Sequence, residues 1–365
     1  MKLRINRQEL TEAMSVAGSV AAVRTPKPIL QCVLFRALAD HVELEATDLE
    51  IGVRCVVSQV EVEHQGEVLV AAEKLAAIVR ESADELLDIQ ADATHCHVRG
   101  ADSHFQILTQ DTAEFPKVAT MSGDPDLEIP AGVLRRLAER TVFAAARENT
   151  RYAINGVLWE AEGKNLTLVA TDGRRLSQAI GEVSSGKGRQ FEVIVPSKAM
   201  NLIRQLFGDD EEPVGVQVTG NQLLLRTRRA LISSGLVEGH FPKHQDVIPT
   251  DTDKHVQLSV PEMLSAVRRA ALLTNEESRG VRFSFTANEL ALSSRAPQQG
   301  EARITMPIHY DGEAIEIGFN PNFLTDVLRV VHEDEVTFEL KEPNRPGVLR
   351  CGGEFLYVVM PVNLS

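Results

Sequence analysis

Two Thr-Asp pairs are the residues of this chain that could most readily do chemistry. Asp48 lies in LEATDLE and Asp172 in LVATDGR, each at the end of an alternating apolar run that predicts a strand. Two equivalent carboxylates could hold magnesium or act as acid and base in a nuclease or phosphotransferase. A third, fainter copy has Arg295 and Ala296 at this place, which counts against that site. An Asx-type turn that ends a strand is the simpler interpretation of an Asp before Gly173.

Other motifs give weaker indications of chemistry. His95 and His97 alternate in THCHV and share one face of a predicted strand, at a spacing that a metal ion could use. No further cluster of ligands follows them, so we predict no metal site and no cofactor. The stretch 166–177 lacks the lysine-containing pattern of a phosphate loop, and no serine lies in a nucleophile elbow. These motifs do not predict a catalytic site.

The composition limits the class of protein. At 365 residues, with 43% hydrophobic and 25% charged residues, the chain is typical of a soluble protein of two or three domains. It has no apolar run of the roughly 18 residues that span a membrane and no signal-peptide core, so we expect a cytoplasmic protein without a membrane partner. The four cysteines are scattered, as is usual for reduced thiols. The net charge of -14 argues against a nucleic-acid binder covered in basic residues.

The sequence repeats at a nearly constant interval. Thr47 and Thr171 are 124 residues apart, and the run 67–79 matches the run 192–204 at an interval of 125. A third copy is fainter, with LSVPEMLSAVRRA at 258–270 similar to the start of the second. The chain therefore consists of three copies of one unit. The predicted domains are residues 1–123, 124–250 and 251–365.

Each copy predicts the same order of elements. A short strand leads into a helix with 3.6-residue periodicity, and several alternating strands follow. A second strand and helix come next, with Pro196 or Pro321 at the helix start, and strands end the unit. This order predicts an α+β fold in which two helices pack on antiparallel sheets. The predicted helices are residues 7–18, 73–82, 131–147, 197–207, 261–273 and 321–332.

The charges of these helical segments differ from those of the rest of the chain. The six segments carry 12 Lys or Arg against 7 Asp or Glu, which leaves -19 elsewhere. Mixed charge is ordinary on a surface helix, so the charge of a single segment does not predict a phosphate-binding surface. A positive bias shared by six helices of an acidic chain predicts one surface that faces phosphates.

At this point the sequence resembles a known family, the bacterial DNA polymerase sliding clamps, across essentially its whole length. The segments that carry the resemblance are ATDGRRL (170–176), RYAINGV (151–157), GHFPKHQDVIP (239–249), NEESRGVRF (275–283) and YVVMP (357–361). The resemblance implies three tandem clamp domains per chain and a head-to-tail dimeric ring, with the helices inside and the sheets outside. It also implies a non-catalytic protein that encircles duplex DNA without reading its sequence. Polymerase subunits, the clamp loader and repair proteins would dock on the outer face by short peptides.

The same resemblance assigns residues to three surfaces. The partner-peptide pocket would comprise Ile154, Thr171, Gly173, Arg175, Leu176, Pro242, Val247, Pro346, Met360 and Pro361. The DNA-facing residues would be Arg24, Arg151, Tyr152 and Lys198. The dimer interface would use Phe105 and Ile107 in the strand HFQIL together with Leu272 and Leu273 at the end of a predicted helix.

Two other functions stay open on the sequence alone. One is a metal-dependent nuclease or phosphotransferase that uses Asp48 and Asp172. The other is a repeat scaffold with no role on DNA. Retention on circular but not on linear DNA would separate a clamp from both.

Overall fold

The computed structural model describes residues 1–22, 24–147, 153–186, 188–206, 210–274, 280–296 and 299–363. None of the helices in these ranges is both long enough and apolar enough to cross a membrane. The chain forms two compact units. The first contains Met1–Gly132, Val183–Arg189 and Gln205–Leu236, and the second contains Val133–Glu182, Gln190–Arg204 and Val237–Ser365.

The first repeat follows the predicted order of elements. Asn6 caps its first helix by accepting a hydrogen bond from Glu9 N at 3.1 Å, and apolar residues at helical spacing bury one face. The elements are β1 (Lys2–Asn6), α1 (Arg7–Val20), β2 (Cys32–Ala37), β3 (Val42–Thr47), β4 (Ile51–Val57), β5 (Val60–His64), β6 (Gly66–Ala71), α2 (Ala72–Glu81), β7 (Leu86–Ala91), β8 (His95–Arg99) and β9 (His104–Gln110).

The second repeat has the same order. Its second helix begins at Ser197, the first residue of the predicted segment 197–207, and Pro196 is the last residue of the preceding strand. The elements are β10 (Leu127–Pro130), α3 (Ala131–Thr141), β11 (Gly156–Glu162), β12 (Asn165–Thr171), β13 (Arg175–Glu182), β14 (Ser185–Gly186), β15 (Phe191–Pro196), α4 (Ser197–Leu206), β16 (Pro213–Thr219), β17 (Gln222–Arg226) and β18 (Ala230–Gly235).

The third repeat has one strand fewer between its helices among the described residues. Pro321 is the first residue of its second helix, as predicted. The elements are β19 (Lys254–Ser259), α5 (Val260–Ala271), β20 (Val281–Thr286), β21 (Glu289–Ala296), β22 (Gly300–Pro307), β23 (Ile315–Phe319), α6 (Pro321–Leu328), β24 (Glu335–Leu340), β25 (Gly347–Cys351) and β26 (Phe355–Val359). The α+β fold with three repeats is thus confirmed.

Several helices are shorter than predicted. The segment 131–147 stops being α-helical at Thr141, where two β-branched residues, Thr141 and Val142, follow one another and a 3-10 turn begins. The first helix of the third repeat ends at Ala271, so Leu272 is its C-cap and Leu273 lies beyond it. Within their observed bounds the six helices carry ten Lys or Arg against seven Asp or Glu, a smaller excess than predicted.

One sheet of 14 strands organises the first unit. Its strand order is β14-β10-β16-β17-β18-β4-β3-β2-β6-β9-β8-β7-β1-β5. The pairing of β18 with β4 joins the second repeat to the first, and Ser233 faces Gly52 there. A Cβ at Gly52 would lie 2.8 Å from Ser233 Oγ, so this junction requires a glycine. Helices α1 and α2 pack against each other, and α1 also packs on β3 and β4.

Two sheets organise the second unit. The larger has the order β15-β11-β12-β13-β26-β25-β24-β19, and the smaller has the order β22-β21-β20-β23. The pairing of β13 with β26 joins the second repeat to the third, with Arg175 opposite Val359 and Leu176 opposite Val358. This pairing places the turn after β12 next to the residues that follow β26. The Thr-Asp motif and the VVMP segment therefore meet.

Candidate functional site

The turn between β12 and β13 is held by two side chains of the Thr-Asp motif. Thr171 Oγ1 donates to the Arg175 carbonyl at 2.7 Å and accepts from Gly173 N at 3.1 Å. Asp172 Oδ1 accepts from the backbone N–H groups of Arg174 and Arg175 at 3.0 and 3.1 Å. Gly173 has a φ of 83°, which glycine adopts at little cost. The predicted Asx-type turn is confirmed.

Arg175 fixes this turn to its surroundings. Its guanidinium donates to Asp172 Oδ2 at 3.1 Å, to Asp326 Oδ2 at 2.8 Å and to the Phe143 carbonyl at 2.9 Å. The same group lies 4.4 Å from the centroid of the Phe323 ring. Its side chain is only 10% exposed, so these contacts replace water. Arg175 therefore positions the turn and is not an exposed cation for phosphates.

The pairing of β13 with β26 brings the second part of the predicted pocket to this turn. Met360 N donates to the Arg174 carbonyl at 2.9 Å, directly after β26. Pro346 precedes Gly347, which pairs with Val359 of β26. Met360 thus lies beside the turn and Pro346 lies one strand further along the sheet, although the sequence separates both from the turn by more than 160 residues.

An apolar cluster lies under this turn. It contains eight buried residues from both sides of the β13–β26 pairing: Ala153, Leu158, Val169, Leu176, Ile194, Val348, Leu356 and Val358. Val237, Phe241 and Ile248 pack against it and stay partly exposed. These three residues were not among the predicted pocket residues. Phe241 could have been found, because it precedes Pro242 in the quoted GHFPKHQDVIP segment.

The segment 241–248 forms one side of the cluster. His244 begins a 3-10 helix, His244–Val247, and is buried. Its Nε2 lies 3.6 Å from Glu160 Oε2. Burial lowers the pKa of His244 and raises the pKa of Glu160, so the contact is not a strong ion pair. The short helix is thus buried at its first residue, His244, whereas Val247 at its other end is 53% exposed.

The ten predicted pocket residues fall into three groups. Ile154, Thr171 and Leu176 are buried, and Leu176 belongs to the apolar cluster. Arg175, Pro242, Pro346 and Pro361 are half-buried. Gly173, Val247 and Met360 are exposed, with Met360 at 43%. The arrangement is an apolar surface with a buried floor and an exposed rim of Val and Met side chains.

The predicted interface strand of the first repeat is β9. Residues 104–108 pair with β8 on one side, while β6 reaches only Thr109 and Gln110 on the other. Among the described residues no strand pairs with the remaining edge of 104–108. Ile107 is half-buried on the face of buried Cys96, but Phe105 is 38% exposed. An apolar strand with an open edge is unusual unless another chain covers it.

The predicted interface leucines of the third repeat lie beside a second open edge. Leu272 is 76% exposed directly after α5. A Cβ at Gly300 would lie 3.9 Å from Leu273 Cδ1, so Leu273 is next to the first residue of β22. Strand β22 is the terminal strand of its sheet, and α5 packs on it. The sequence alone did not indicate that β22 lies at the edge of its sheet. The alternation in GEARITMP predicts a strand but not the position of that strand in the sheet.

The predicted DNA-facing residues are only partly described. Arg24 is exposed between α1 and a 3-10 helix at Pro28–Gln31, and Lys198 is exposed at the second position of α4. Arg151 and Tyr152 lie outside the described residues. Arg140 of α3 cannot contribute to a basic surface that faces phosphates, because it is buried and forms an ion pair with Glu333 at 2.5 Å.

The comparisons with known proteins agree over the whole chain. Three models of the DNA polymerase III beta subunit match it: the N-terminal domain over residues 1–119, the central domain over 128–243 and the C-terminal domain over 245–363. The chain belongs to the beta sliding clamp family.

Individual clamps resemble the chain over its full length. The beta sliding clamp of Escherichia coli K12 is 32% identical over 371 residues, and the match covers 100% of both chains. That of Chlamydia pneumoniae is 30% identical over 365 residues, and the match covers 100% of this chain and 99% of the other. The clamp of Pseudomonas aeruginosa bound to griselimycin superimposes with a TM-score of 0.94 at 31% identity, covering 100% of both chains. The Bacillus subtilis clamp gives 0.94 at 25% identity, again over 100% of both chains.

The first repeat of this clamp contains a second Thr-Asp turn with one unfavourable residue. Thr47 Oγ1 donates to the Ile51 carbonyl at 2.9 Å, and Asp48 Oδ1 accepts from Glu50 N and Ile51 N at 3.0 and 2.7 Å. Leu49 stands where the other turn has glycine, with a φ of 80° and a side chain that is 56% exposed. Both Asp carboxylates thus hold turns, and within the described ranges no group of three or more His, Cys, Asp or Glu is arranged around a metal.

We predict that Leu49→Gly stabilises the clamp slightly. A glycine removes the strain of a leucine side chain in the left-handed conformation, which raises the free energy of unfolding by about 1–2 kcal/mol. Glycine also makes the unfolded chain more flexible, and this offsets about half of the gain. In the matched change Gly173→Ala, no atom lies within 4 Å of the new Cβ. We therefore expect this variant to be less stable only because alanine is strained at the positive φ of this position. Thermal unfolding followed by circular dichroism checks both. A lower midpoint for Leu49→Gly would contradict the strain assigned to Leu49.

Proposed function

We propose that two copies of this chain close head to tail around duplex DNA and hold partner proteins by short peptides in the pocket beside the Thr171–Leu176 turn. The observation that carries the proposal is the location of the exposed apolar side chains. Among the described residues the large ones are Leu49, Leu86, Phe105, Leu108, Val247, Leu272 and Met360. Two of these, Val247 and Met360, lie on the pocket rim, and three, Phe105, Leu108 and Leu272, lie beside the open edges of β9 and β22.

The pocket is suited to peptides of more than one sequence. Its floor is the apolar cluster, and Arg175 and the Thr171 hydroxyl fix the turn beside it. Met360 on the rim can adapt to different apolar side chains, because a thioether chain is flexible and polarisable. Peptides with a glutamine followed by leucine and phenylalanine, as family partners carry, would bury their apolar side chains there. DNA polymerase subunits, the clamp loader and repair proteins are the proposed partners.

The dimer interface would pair two different strand edges. The open edge of β9 in one chain would meet the open edge of β22 in the other, and Leu272 and Leu273 would pack beside the pairing. Because the two edges differ, the contact is head to tail, and closure after two chains gives two copies of one interface. Such pairing would remove both exposed edges.

The DNA contact would be topological and weak in energy. A net charge of -14 opposes simple adhesion to phosphates, whereas a closed ring keeps its DNA without strong contacts. Arg24, Arg151, Tyr152 and Lys198 are the proposed DNA-facing residues. The clamp would be non-catalytic and would act in the cytoplasm. Its three domains would be residues 1–123, 124–250 and 251–365.

We predict that Met360→Glu and Val247→Glu each weaken binding of a Gln-Leu-Phe peptide by roughly tenfold to a hundredfold. Each change places a carboxylate where an apolar side chain would be buried, at a cost of about 1–3 kcal/mol. Isothermal titration calorimetry measures the affinity. Leu86→Glu is the control, because it charges an equally exposed leucine on β7, which belongs to the first compact unit, whereas the pocket residues belong to the second. Equal losses in all three variants, or none in the first two, would refute the pocket.

We predict that Leu272→Ala together with Leu273→Ala gives a folded monomer at micromolar concentration. Leu272 is exposed within one chain, so its truncation costs little folding energy, while a loss of about 3 kcal/mol at the interface weakens association roughly a hundredfold. Sedimentation measures the assembly and circular dichroism measures the fold. Leu86→Ala should remain a dimer. An unfolded chain or a dimer of unchanged affinity in the double variant argues against this interface.

A further inference from the structure

Three histidines lie together on one face of the β8–β9 hairpin. His95 and His97 come from β8 and His104 from β9. His97 Nδ1 lies 3.0 Å from His104 Nε2, and the two ring centroids are 5.2 Å apart. The ring of His95 stacks on that of His97 at 6.2 Å. The pocket and the interface leucines use none of these imidazoles.

The strand register explains why these rings meet. His97 faces Gln106 and Arg99 faces His104, so His97 and His104 are diagonal neighbours on one face. The opposite face of β8 carries Cys96 and Val98, which are buried in the core. The hairpin is therefore anchored by its apolar face, and the imidazoles lie on the face that solvent reaches.

The turn that precedes β8 holds His95 in place. Asp92 Oδ1 accepts from Thr94 N at 2.8 Å and from His95 N at 2.9 Å. These hydrogen bonds lower the pKa of Asp92 to about 2, so the carboxylate stays ionised. The Thr94 hydroxyl in turn lies 2.9 Å from His95 Nδ1. The first of the three rings is thus positioned before any ligand arrives.

Although the sequence alone predicted no metal site, the contact between these two rings leads us to propose that His97 and His104 bind a divalent transition metal ion, copper(II) or nickel(II). Metal–imidazole bonds of about 2.0–2.1 Å that reach nitrogens 3.0 Å apart enclose an angle of about 95°. That angle fits neighbouring positions of a tetragonal or octahedral ion better than the wider tetrahedral angle of zinc. The ion would bind between the two ring nitrogens after a small rotation of both rings, and the ring that donates the hydrogen bond would carry its proton on its other nitrogen instead.

The surroundings leave this site open to a cation. Arg99, the nearest positive side chain on the same strand, is turned towards β7, where its Nη1 donates to Gln90 Oε1 at 3.1 Å. Gln106 is exposed opposite His97 and adds an amide oxygen on the same face. Since the described residues hold no preformed group of three His, Cys, Asp or Glu ligands, water would complete the coordination. The proposal therefore predicts moderate affinity and not a structural metal.

Copper(II) titration of the full-length protein tests the site. We expect one ion per chain and an electron paramagnetic resonance spectrum with coupling to two imidazole nitrogens. His97→Ala and His104→Ala should each weaken binding by at least about tenfold, because each removes one of two protein ligands. His64→Ala removes an exposed histidine of β5 and is the matched control. His95→Ala should keep the two-nitrogen spectrum.

Two results would overturn the proposal. One is copper binding of unchanged stoichiometry and affinity in the double variant His97→Ala with His104→Ala. The other is a wild-type spectrum without two imidazole nitrogens. Circular dichroism of each variant verifies its fold, which these substitutions should leave intact because none of the replaced side chains belongs to the buried core.

Discussion

A strand edge that carries exposed apolar side chains is normally covered by another strand, and this constraint organises the clamp. Within the chain it is met twice by pairing between repeats, β18 with β4 and β13 with β26. Each pairing extends a sheet from one repeat into the next. The edges of β9 and β22 stay open among the described residues, and exposed leucine and phenylalanine side chains lie beside them. A second chain is the simplest way to satisfy both edges.

The same pairing of strands creates the proposed peptide pocket. Register between β13 and β26 sets Leu176 opposite Val358 and brings Met360 N to the Arg174 carbonyl. Arg175 then locks the turn to Asp326 and Phe323 of the third repeat. The proposed binding surface is therefore a consequence of how the second and third repeats join. A peptide would bind to a surface that is already ordered, which reduces the entropy cost of binding.

Sequence reasoning predicted the repeated elements, because alternation and helical periodicity are local signals. The Asx turn at Asp172 was also predictable, since its hydrogen bonds join residues at most three positions apart. The packing of Phe241 on the cluster and the open edge of β22 were not, because both depend on partners far away in the chain. The end of α3 at Thr141 was missed because the apolar run VFAAA continues the helical pattern. The charge of the helices was overestimated because the predicted segments extended over Arg147 and Arg329, which lie beyond the ends of α3 and α6.

The most direct test of the ring is retention on DNA of defined topology. The clamp is loaded by its own clamp loader onto nicked circular DNA, washed at high salt, and the circle is then cut with a restriction enzyme. We expect the clamp to stay on the circle through a wash that strips it from linear DNA, and we expect the cut to release it, because only ring closure retains it. Equal loss from both DNAs in salt, or retention after the cut, would contradict a closed ring.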